Sequence, residues 1–369
     1  LRMRRRENEL LAEGLRQLAR RVPPSPVEIG NKWNNMYLYN IKSEQYTTIE
    51  TTCLFISEHA YFFVDDRDVA TLAPYIEDYG QAFDQIYQMG QAKFGTENDV
   101  DRNGKVIIVF SRELTGGLLG YFNAEDKFPR HEQNPYSNEC DILYITSEYQ
   151  GEIVKATMAH ELQHMIYFDE HYDRKVTFTY TWLNEALSQA AEYYSGHLKN
   201  HLAWIAAFLY GSQEEGSHPN WAWGLSLTHW TPANYGYGAL FIRYLIDQYG
   251  EAAIKRMCAT DKVGVAAVEA ATGRNFNVVF IEFTRAVVMS GAYASARPNP
   301  RYRFTTLDLR GIQPTGRGGL TTPLQFNAGD DIGGELFPYC LCFIRWTGDF
   351  GTMNLLGESV AGTVFGLDR

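Results

Sequence analysis

The stretch MAHELQHMIYF, residues 158–168, places two imidazoles and a carboxylate inside an otherwise apolar segment. His160 and His164 are four residues apart, and Glu161 directly follows the first histidine. On an α-helix, residues i and i+4 lie on one face about a turn apart, so both rings can be directed at one point. The flanking IVKATMA and MIYF contain neither Gly nor Pro, which favours a helix. Either these side chains are polar groups satisfied within a core, or they hold a metal ion.

The pattern H-E-x-x-H on a helix supplies two zinc ligands and a general base. A catalytic zinc needs three protein ligands and one open position for water. A second predicted helix, TWLNEALSQAAEYYSG at 181–196, offers Glu185 as our candidate for the third ligand. Other carboxylates could take that position: Glu192 on the same helix, and Asp169 and Glu170 nearer in sequence.

The chemistry that such a centre supports is hydrolysis, because zinc lowers the pKa of a bound water toward about 7. Glu161 lies too close in sequence to ligate the ion alongside both histidines. We therefore predict that it accepts the proton of the water and later donates it to a leaving amine. A positioned donor would also stabilise the oxyanion. Candidates for that donor are His229 in LTHW, and Tyr235 and Tyr237 in ANYGYGALFIRYLIDQYG.

The motif HELQH followed by NEALSQ resembles the gluzincin class of zinc metallopeptidases, of which thermolysin is the best-known member. The segments FGTENDVDRNGKVIIVF, GYFNAED, SNECDILYI and WLNEALSQAAEYY, within 90–250, resemble the hyicolysin-like secreted bacterial metallopeptidases. The resemblance implies Zn²⁺ held by His160, His164 and Glu185, and cleavage of protein or peptide substrates as an endopeptidase. An aminopeptidase and an inactive binding or adhesion protein are the alternatives. The resemblance also implies a secreted or cell-envelope location.

Two details of the resemblance concern the surroundings of the ion. Related gluzincins place a tyrosine three residues before a glycine that opens a helix, which favours Tyr235, three before Gly238, as the oxyanion donor. Thermolysin-type sequences often carry an aspartate four residues after the ligand glutamate, where it braces the first histidine. Here that position is Gln189, whose carbonyl can orient a ring but adds no charge.

The acidic segment DVDRNGKV, residues 99–106, resembles the start of a calcium-binding loop. A complete EF-hand loop has a glutamate at its twelfth position, and counting from Asp99 that position is Phe110. The segment is therefore not an EF-hand, and Asp, Asn and Gly also form ordinary turns. Because secreted gluzincins are often stabilised by calcium, Ca²⁺ at Asp99, Asp101 and Asn103 stays open beside the turn interpretation.

The composition of the 369 residues limits the partners. A net charge of −11 argues against general binding to nucleic acid or anionic membranes. The longest apolar run, WIAAFLY at 204–210, is far shorter than the roughly 20 residues of a membrane span. Five cysteines are too few for a disulfide scaffold, although Cys340 and Cys342 share a predicted strand. No sequence feature specifies an oligomeric state.

Hydrophobic periodicity predicts an α+β protein, and the resemblance implies a thermolysin-like, two-lobed zinc metallopeptidase with flanking β-rich segments. Elements expected around the motif are a helix at 71–94, buried strands at 105–110 and 141–145, and a glycine-rich loop at 115–123. The basic N-terminal helix is expected to dock on the body or to be the remnant of a pro-segment, rather than to bind a specific partner. The expected domains are an amphipathic helix at 1–24, a small β-rich segment at 25–70, the catalytic domain at 71–310, and a C-terminal β-rich domain at 311–369, which could be truncated.

Overall fold

The computed structural model divides the chain into two compact units. Unit 1 consists of Leu1–Leu202 and Tyr249–Thr272, and unit 2 of Ala203–Gln248 and Gly273–Arg369. The predicted strand with Cys340 and Cys342 lies outside the residues that the structure describes. Those residues are 2–13, 18, 27–41, 43–210, 225–290, 299–309, 311–312, 324–326, 339 and 344–346.

Nine helices lie in the described part of the chain. None of them is long and apolar enough to cross a membrane. The helices are α1 Arg2–Glu13, α2 Val69–Lys93, α3 Glu152–Asp173, α4 Thr181–Tyr194, α5 Leu198–Tyr210, α6 Tyr235–Tyr249, α7 Glu251–Cys258, α8 Val265–Thr272 and α9 Phe276–Met289.

Unit 1 is built on a six-stranded mixed sheet with the strand order β1-β2-β3-β4-β6-β5. The first three strands pair antiparallel, β3, β4 and β6 run parallel, and β5 pairs antiparallel with β6 at the edge. The strands are β1 Lys32–Asn40, β2 Gln45–Ile56, β3 Ala60–Asp65, β4 Val106–Ser111, β5 Gly120–Phe122 and β6 Ile142–Thr146.

The three parallel strands are buried along their whole length, and their sequences AYFFVD, VIIVFS and ILYIT are nearly continuous apolar runs. Such runs are typical of parallel strands covered on both faces. The strands predicted within 25–70 pair with β4 through β3, so they belong to the same sheet rather than to a sheet of their own. The expected domain boundaries stay predictions. The loop expected at 115–123 is wrong in part, because residues 120–122 form the edge strand β5.

Helix α2 connects the parallel strands β3 and β4, and α3 follows β6. The two helices approach closely at Gly90, where an added Cβ would lie 3.1 Å from side-chain carbons of Leu162 and Ile166. The buried Lys127 ammonium contacts Asp141, which precedes β6, and lies 2.6 Å from Asp169 of α3. These contacts fix α3 against both the sheet and its flanking helix.

Unit 2 is helical in most of its described residues, with α6 and α9 around an aromatic cluster. The ring of Tyr237 stacks on Phe208 at 4.6 Å and on Phe283 at 6.1 Å between centroids. The guanidinium of Arg243, which is buried, donates to the Thr306 carbonyl at 2.8 Å. In the described part of 311–369, β7 Leu324–Phe326 and β8 Ile344–Trp346 pair in parallel.

Candidate metal centre

Helices α3 and α4 bring the three predicted ligands together. Glu185 Oε2 lies 3.4 Å from His160 Nε2 and 3.5 Å from His164 Nε2. The two imidazole rings are 4.8 Å apart between centroids and inclined at 74°. All three side chains are buried. One turn of α3 therefore presents two ring nitrogens to the same carboxylate oxygen of α4.

These three side chains fit a divalent cation. In a tetrahedral zinc site with bonds of about 2.0–2.1 Å, neighbouring ligand atoms are about 3.3 Å apart, close to both distances to Glu185 Oε2. That oxygen is buried and accepts no hydrogen bond from the described residues. A buried, unsatisfied carboxylate oxygen is costly, and a cation at the shared point would satisfy it. Two nitrogens and one oxygen are also the donor types of a catalytic zinc site.

The far nitrogens of both rings are held by oxygen acceptors on α4. His160 Nδ1 lies 2.8 Å from Glu192 Oε1, and His164 Nδ1 lies 2.9 Å from Asn184 Oδ1. When Nδ1–H donates to these oxygens, the lone pair of each ring is on Nε2, toward Glu185. Both histidines are therefore oriented as metal ligands.

Gln189 does not contact His160. Gln189 Nε2 instead donates to Glu192 Oε1 at 2.6 Å, and that same oxygen faces His160. Residues 185 and 192 are seven apart, so Glu192 lies on the same face of α4 as Glu185. This spacing could have identified Glu192 from the sequence as a hydrogen-bond partner of the histidine. Glu192 consequently contacts the far side of the ring and is not placed as the third ligand.

The other two alternative ligands lie elsewhere. Asp169 accepts hydrogen bonds from Lys127 Nζ and, at 2.8 Å, from the backbone N of Asn98. Glu170 accepts from Thr96 N at 2.9 Å and pairs with Arg174. Neither carboxylate belongs to the group formed by the two histidines and Glu185.

The predicted base is held by the edge strand. Glu161 Oε2 accepts a hydrogen bond of 3.0 Å from the backbone N of Phe122 in β5. Burial raises the pKa of Glu161, against the opposing effects of His160 and Arg4. Sequence analysis missed this contact because the segment was interpreted as a loop.

The electrostatics of the centre follow from burial and ion pairing. Burial, reinforced by the positive charge of Arg4, lowers the pKa of His164 to about 3. Burial alone would also lower the pKa of His160, but Glu185 and Glu192 raise it to about 10. The same histidines and Arg4 outweigh burial at Glu185 and hold its pKa well below the ordinary value. A cation bound at Nε2 would therefore displace a proton from His160.

The residue that sequence analysis missed entirely is Arg4 of α1. Its Nε donates to Glu185 Oε1 at 3.1 Å, and its Nη2 lies 3.9 Å from Glu161 Oε2. No sequence signal distinguishes Arg4 from Arg5 or Arg6 beside it. A buried guanidinium thus lies against both the predicted third ligand and the predicted base.

The proposed oxyanion donors belong to unit 2. Tyr235 is the first residue of α6, and its ring lies 5.2 Å from Trp204 and 5.0 Å from Trp230. The hydroxyl of Tyr237 donates to the Tyr339 carbonyl at 2.9 Å, so this runner-up already has an acceptor. The catalytic role of Tyr235 stays a prediction, and His229 remains an alternative.

The acidic loop after α2 closes on itself. Carboxylate oxygens of Asp99, Asp101 and Asp141 lie within 4.8 Å of one another. The backbone N atoms of Asn103 and Gly104 donate to Asp99 at 3.1 Å each. These hydrogen bonds are those of an ordinary acidic turn. Ca²⁺ at this loop is therefore not needed to explain its conformation.

Comparison with known proteins points to metalloproteases for one part of the chain. No known protein-family model matches the sequence. A segment of 135 residues is 30% identical to neutral metalloprotease ShpI of Staphylococcus hyicus; it covers 32% of this chain and 30% of that relative. The chain thus spans under a third of that relative. The structure of native yeast LTA4 hydrolase matches with a TM-score of 0.31 and 11% identity, over 79% of this chain and 46% of that one.

Proposed function

We propose that this protein is a zinc-dependent endopeptidase with a thermolysin-like, gluzincin-type catalytic region in unit 1. The observation that carries the proposal is the convergence of His160 Nε2, His164 Nε2 and the unsatisfied Glu185 Oε2. The 30% identity with a neutral metalloprotease supports the same class of reaction. Protein or peptide substrates and an extracytoplasmic location are part of this proposal and rest on that similarity.

The roles of the side chains follow from their contacts. Zinc held by the two histidines and Glu185 would supply Lewis acidity and a nucleophilic water at neutral pH. Glu161, whose Oε2 is held by Phe122 N, accepts the proton of the attacking water and returns it to the leaving amine. Its raised pKa suits both steps, because a base nearer neutrality also acts as an acid.

The edge strand adds a binding role. Among the described strands, β5 pairs only with β6, so we assign its unpaired edge to the binding of an extended peptide chain. Because β5 also holds Glu161 through Phe122, a peptide paired there would lie beside the base. Tyr235 is retained as the proposed oxyanion donor.

The test is a set of substitutions with two measurements, metal content and casein hydrolysis. Glu161→Gln should retain stoichiometric zinc and lose at least about 10²-fold in rate, since general-base catalysis contributes that much. Glu185→Gln should lose both the zinc and the activity. Glu148→Gln removes one exposed carboxylate and serves as the control for net charge. Full activity in Glu161→Gln would refute the assignment.

Peptides with free and acetylated N-termini separate an endopeptidase from an aminopeptidase. An endopeptidase cleaves both at internal bonds, whereas an aminopeptidase requires the free amine. Zinc binding without cleavage of either peptide would support the inactive binding protein.

A further inference from the structure

Helix α1 lies on the candidate metal centre and inserts one side chain into it. Arg4 is buried, with Nε 3.1 Å from Glu185 Oε1 and Nη2 3.9 Å from Glu161 Oε2. Its Nη1 also pairs with Glu7 on the next turn of α1. By contrast, the side chain of Arg5 is 83% exposed and, among the described residues, forms its ion pair within the helix, with Glu9. Arg4 is therefore the residue of α1 that reaches the site.

The guanidinium supplies the charge that the carboxylates of the site require. Glu161 and Glu185 are both buried, and buried carboxylates need a cation or a hydrogen-bond donor. In this structure Arg4 provides both, while Glu185 Oε2 still lacks a hydrogen bond from the described residues. Arg4 at Oε1 and a divalent cation at Oε2 would thus share the Glu185 carboxylate and repel each other.

We propose that α1 is an autoinhibitory segment, in which Arg4 weakens zinc binding at Glu185 and blocks access of substrate to Glu161. This inference rests on the proposed peptidase function. Detachment of α1 removes the positive charge beside the ligands and frees the base from its ion pair. The site then takes zinc more tightly and admits a peptide.

The attachments of α1 on either side of Arg4 are consistent with a helix that can detach. Arg6 Nε donates to Glu125 Oε1 at 2.7 Å, next to the end of β5. Asn8 and Thr179 exchange two hydrogen bonds, of 2.9 and 2.6 Å, on the loop before α4. The polar contacts of Arg6 and Asn8 can be exchanged for water, whereas Leu10 and Leu11 are buried and would become exposed when α1 detaches.

A cavity lies beside α1 and is lined in part by that helix. The cavity has a volume of about 1500 Å³. One wall is formed by α1, with Met3 and Glu9, and the opposite wall by Tyr46, Tyr136 and Phe178. Removing α1 would take away one wall of this cavity and expose the aromatic side chains of the other.

The decisive experiment compares Arg4→Met with Arg5→Met in the full chain. Both variants remove one positive charge from α1, but only the first removes it from the site, and Met retains much of the buried aliphatic stem. We measure zinc affinity by competition with a chromophoric chelator, and hydrogen exchange of residues 2–13 with and without zinc. Arg4→Met should bind zinc about tenfold or more tightly than the wild type. Exchange in α1 should rise in Arg4→Met, and in the wild type when zinc is added.

A second variant is needed because Arg4→Met could affect folding of the site. Asn8→Ala breaks the attachment to Thr179 without touching the centre, and should likewise increase zinc affinity, exchange in α1 and cleavage of an acetylated peptide. Zinc binding that is unchanged or weaker in both variants would overturn autoinhibition, since Arg4 would then support the ligand carboxylate. If neither the wild type nor any variant binds zinc, the peptidase proposal itself fails.

Discussion

Glu192 provides the sharpest test of the metal centre, because it acts on zinc only through His160. Its Oε1 lies 2.8 Å from His160 Nδ1 and accepts from Gln189 Nε2 at 2.6 Å. Its Oε2 accepts from Asn200 Nδ2 at 3.1 Å. Glu192→Gln preserves the shape and one acceptor oxygen for His160, and the Asn200 amide can rotate to accept from the new nitrogen. The substitution therefore removes charge while leaving the ring oriented.

The expected magnitude follows from what each variant removes. Loss of a carboxylate partner of a ligating histidine typically lowers metal affinity by about 10–100-fold, or about 1.4–2.7 kcal/mol. Glu192→Gln should fall near the lower value, because the ring keeps its acceptor and loses only basicity. Glu192→Ala should fall near the upper value, because the ring loses its orientation as well.

The assay is a competitive titration of zinc against a chromophoric chelator at neutral pH, with Glu148→Gln as a control of equal charge change. Thermal unfolding without zinc shows whether a variant is folded. A folded Glu192→Ala that binds zinc as tightly as the wild type would refute the reasoning, since His160 would then need no partner or would not be a ligand.

Three further predictions concern stability. Lys127→Met leaves two carboxylates buried without their cation, so the free energy of unfolding measured in urea should fall by about 3–5 kcal/mol. Lys155→Met is the control: its partner Asp78 is exposed, so the loss should be less than about 1 kcal/mol. Equal losses would contradict the buried pair. Burial raises the pKa of the Asp126 carboxyl to about 7. Because the folded protein then binds this proton more tightly than the unfolded chain does, Asp126 contributes its full stabilisation below about pH 4 and loses it as the pH rises through about 7. Asp126→Asn should flatten that dependence by at most about 4 kcal/mol, and an unchanged slope between pH 5 and 8 would exclude it. Gly236→Ala places a Cβ 2.0 Å from a backbone carbonyl of α5, which should cost about 1–3 kcal/mol in unfolding free energy, and an unchanged melting temperature would disprove that close approach.

Local spacing was enough to predict that the two histidines converge. The i, i+4 histidines lie on one turn of α3, so their convergence follows from helix geometry alone. The third side chain required a second helix, where the resemblance of NEALSQ to the gluzincin pattern pointed to Glu185; in the structure Glu185 faces both rings and Asn184 faces His164. The buried parallel strands were equally predictable from their apolar runs.

The errors occurred where contacts join segments distant in sequence. The position at which thermolysin-type sequences brace the first histidine is Gln189 here, but the packing of α3 on α4 places Glu192, and not Gln189, beside the His160 ring. Residues 120–122 begin with a glycine and form only three paired positions, which is too short a run for a strand to be recognised in the sequence. They become a strand by pairing with β6.

The sequence by itself determined which side chains of α3 can hold a metal, because the period of one helix places them and no other segment is needed. Only the tertiary structure decided that Phe122 holds the base, that Glu192 holds a ligand, and that Arg4 of a basic N-terminal helix enters the site. The physical reason is that each of these contacts depends on how separate elements pack, and the chemical types of the residues alone do not specify that packing.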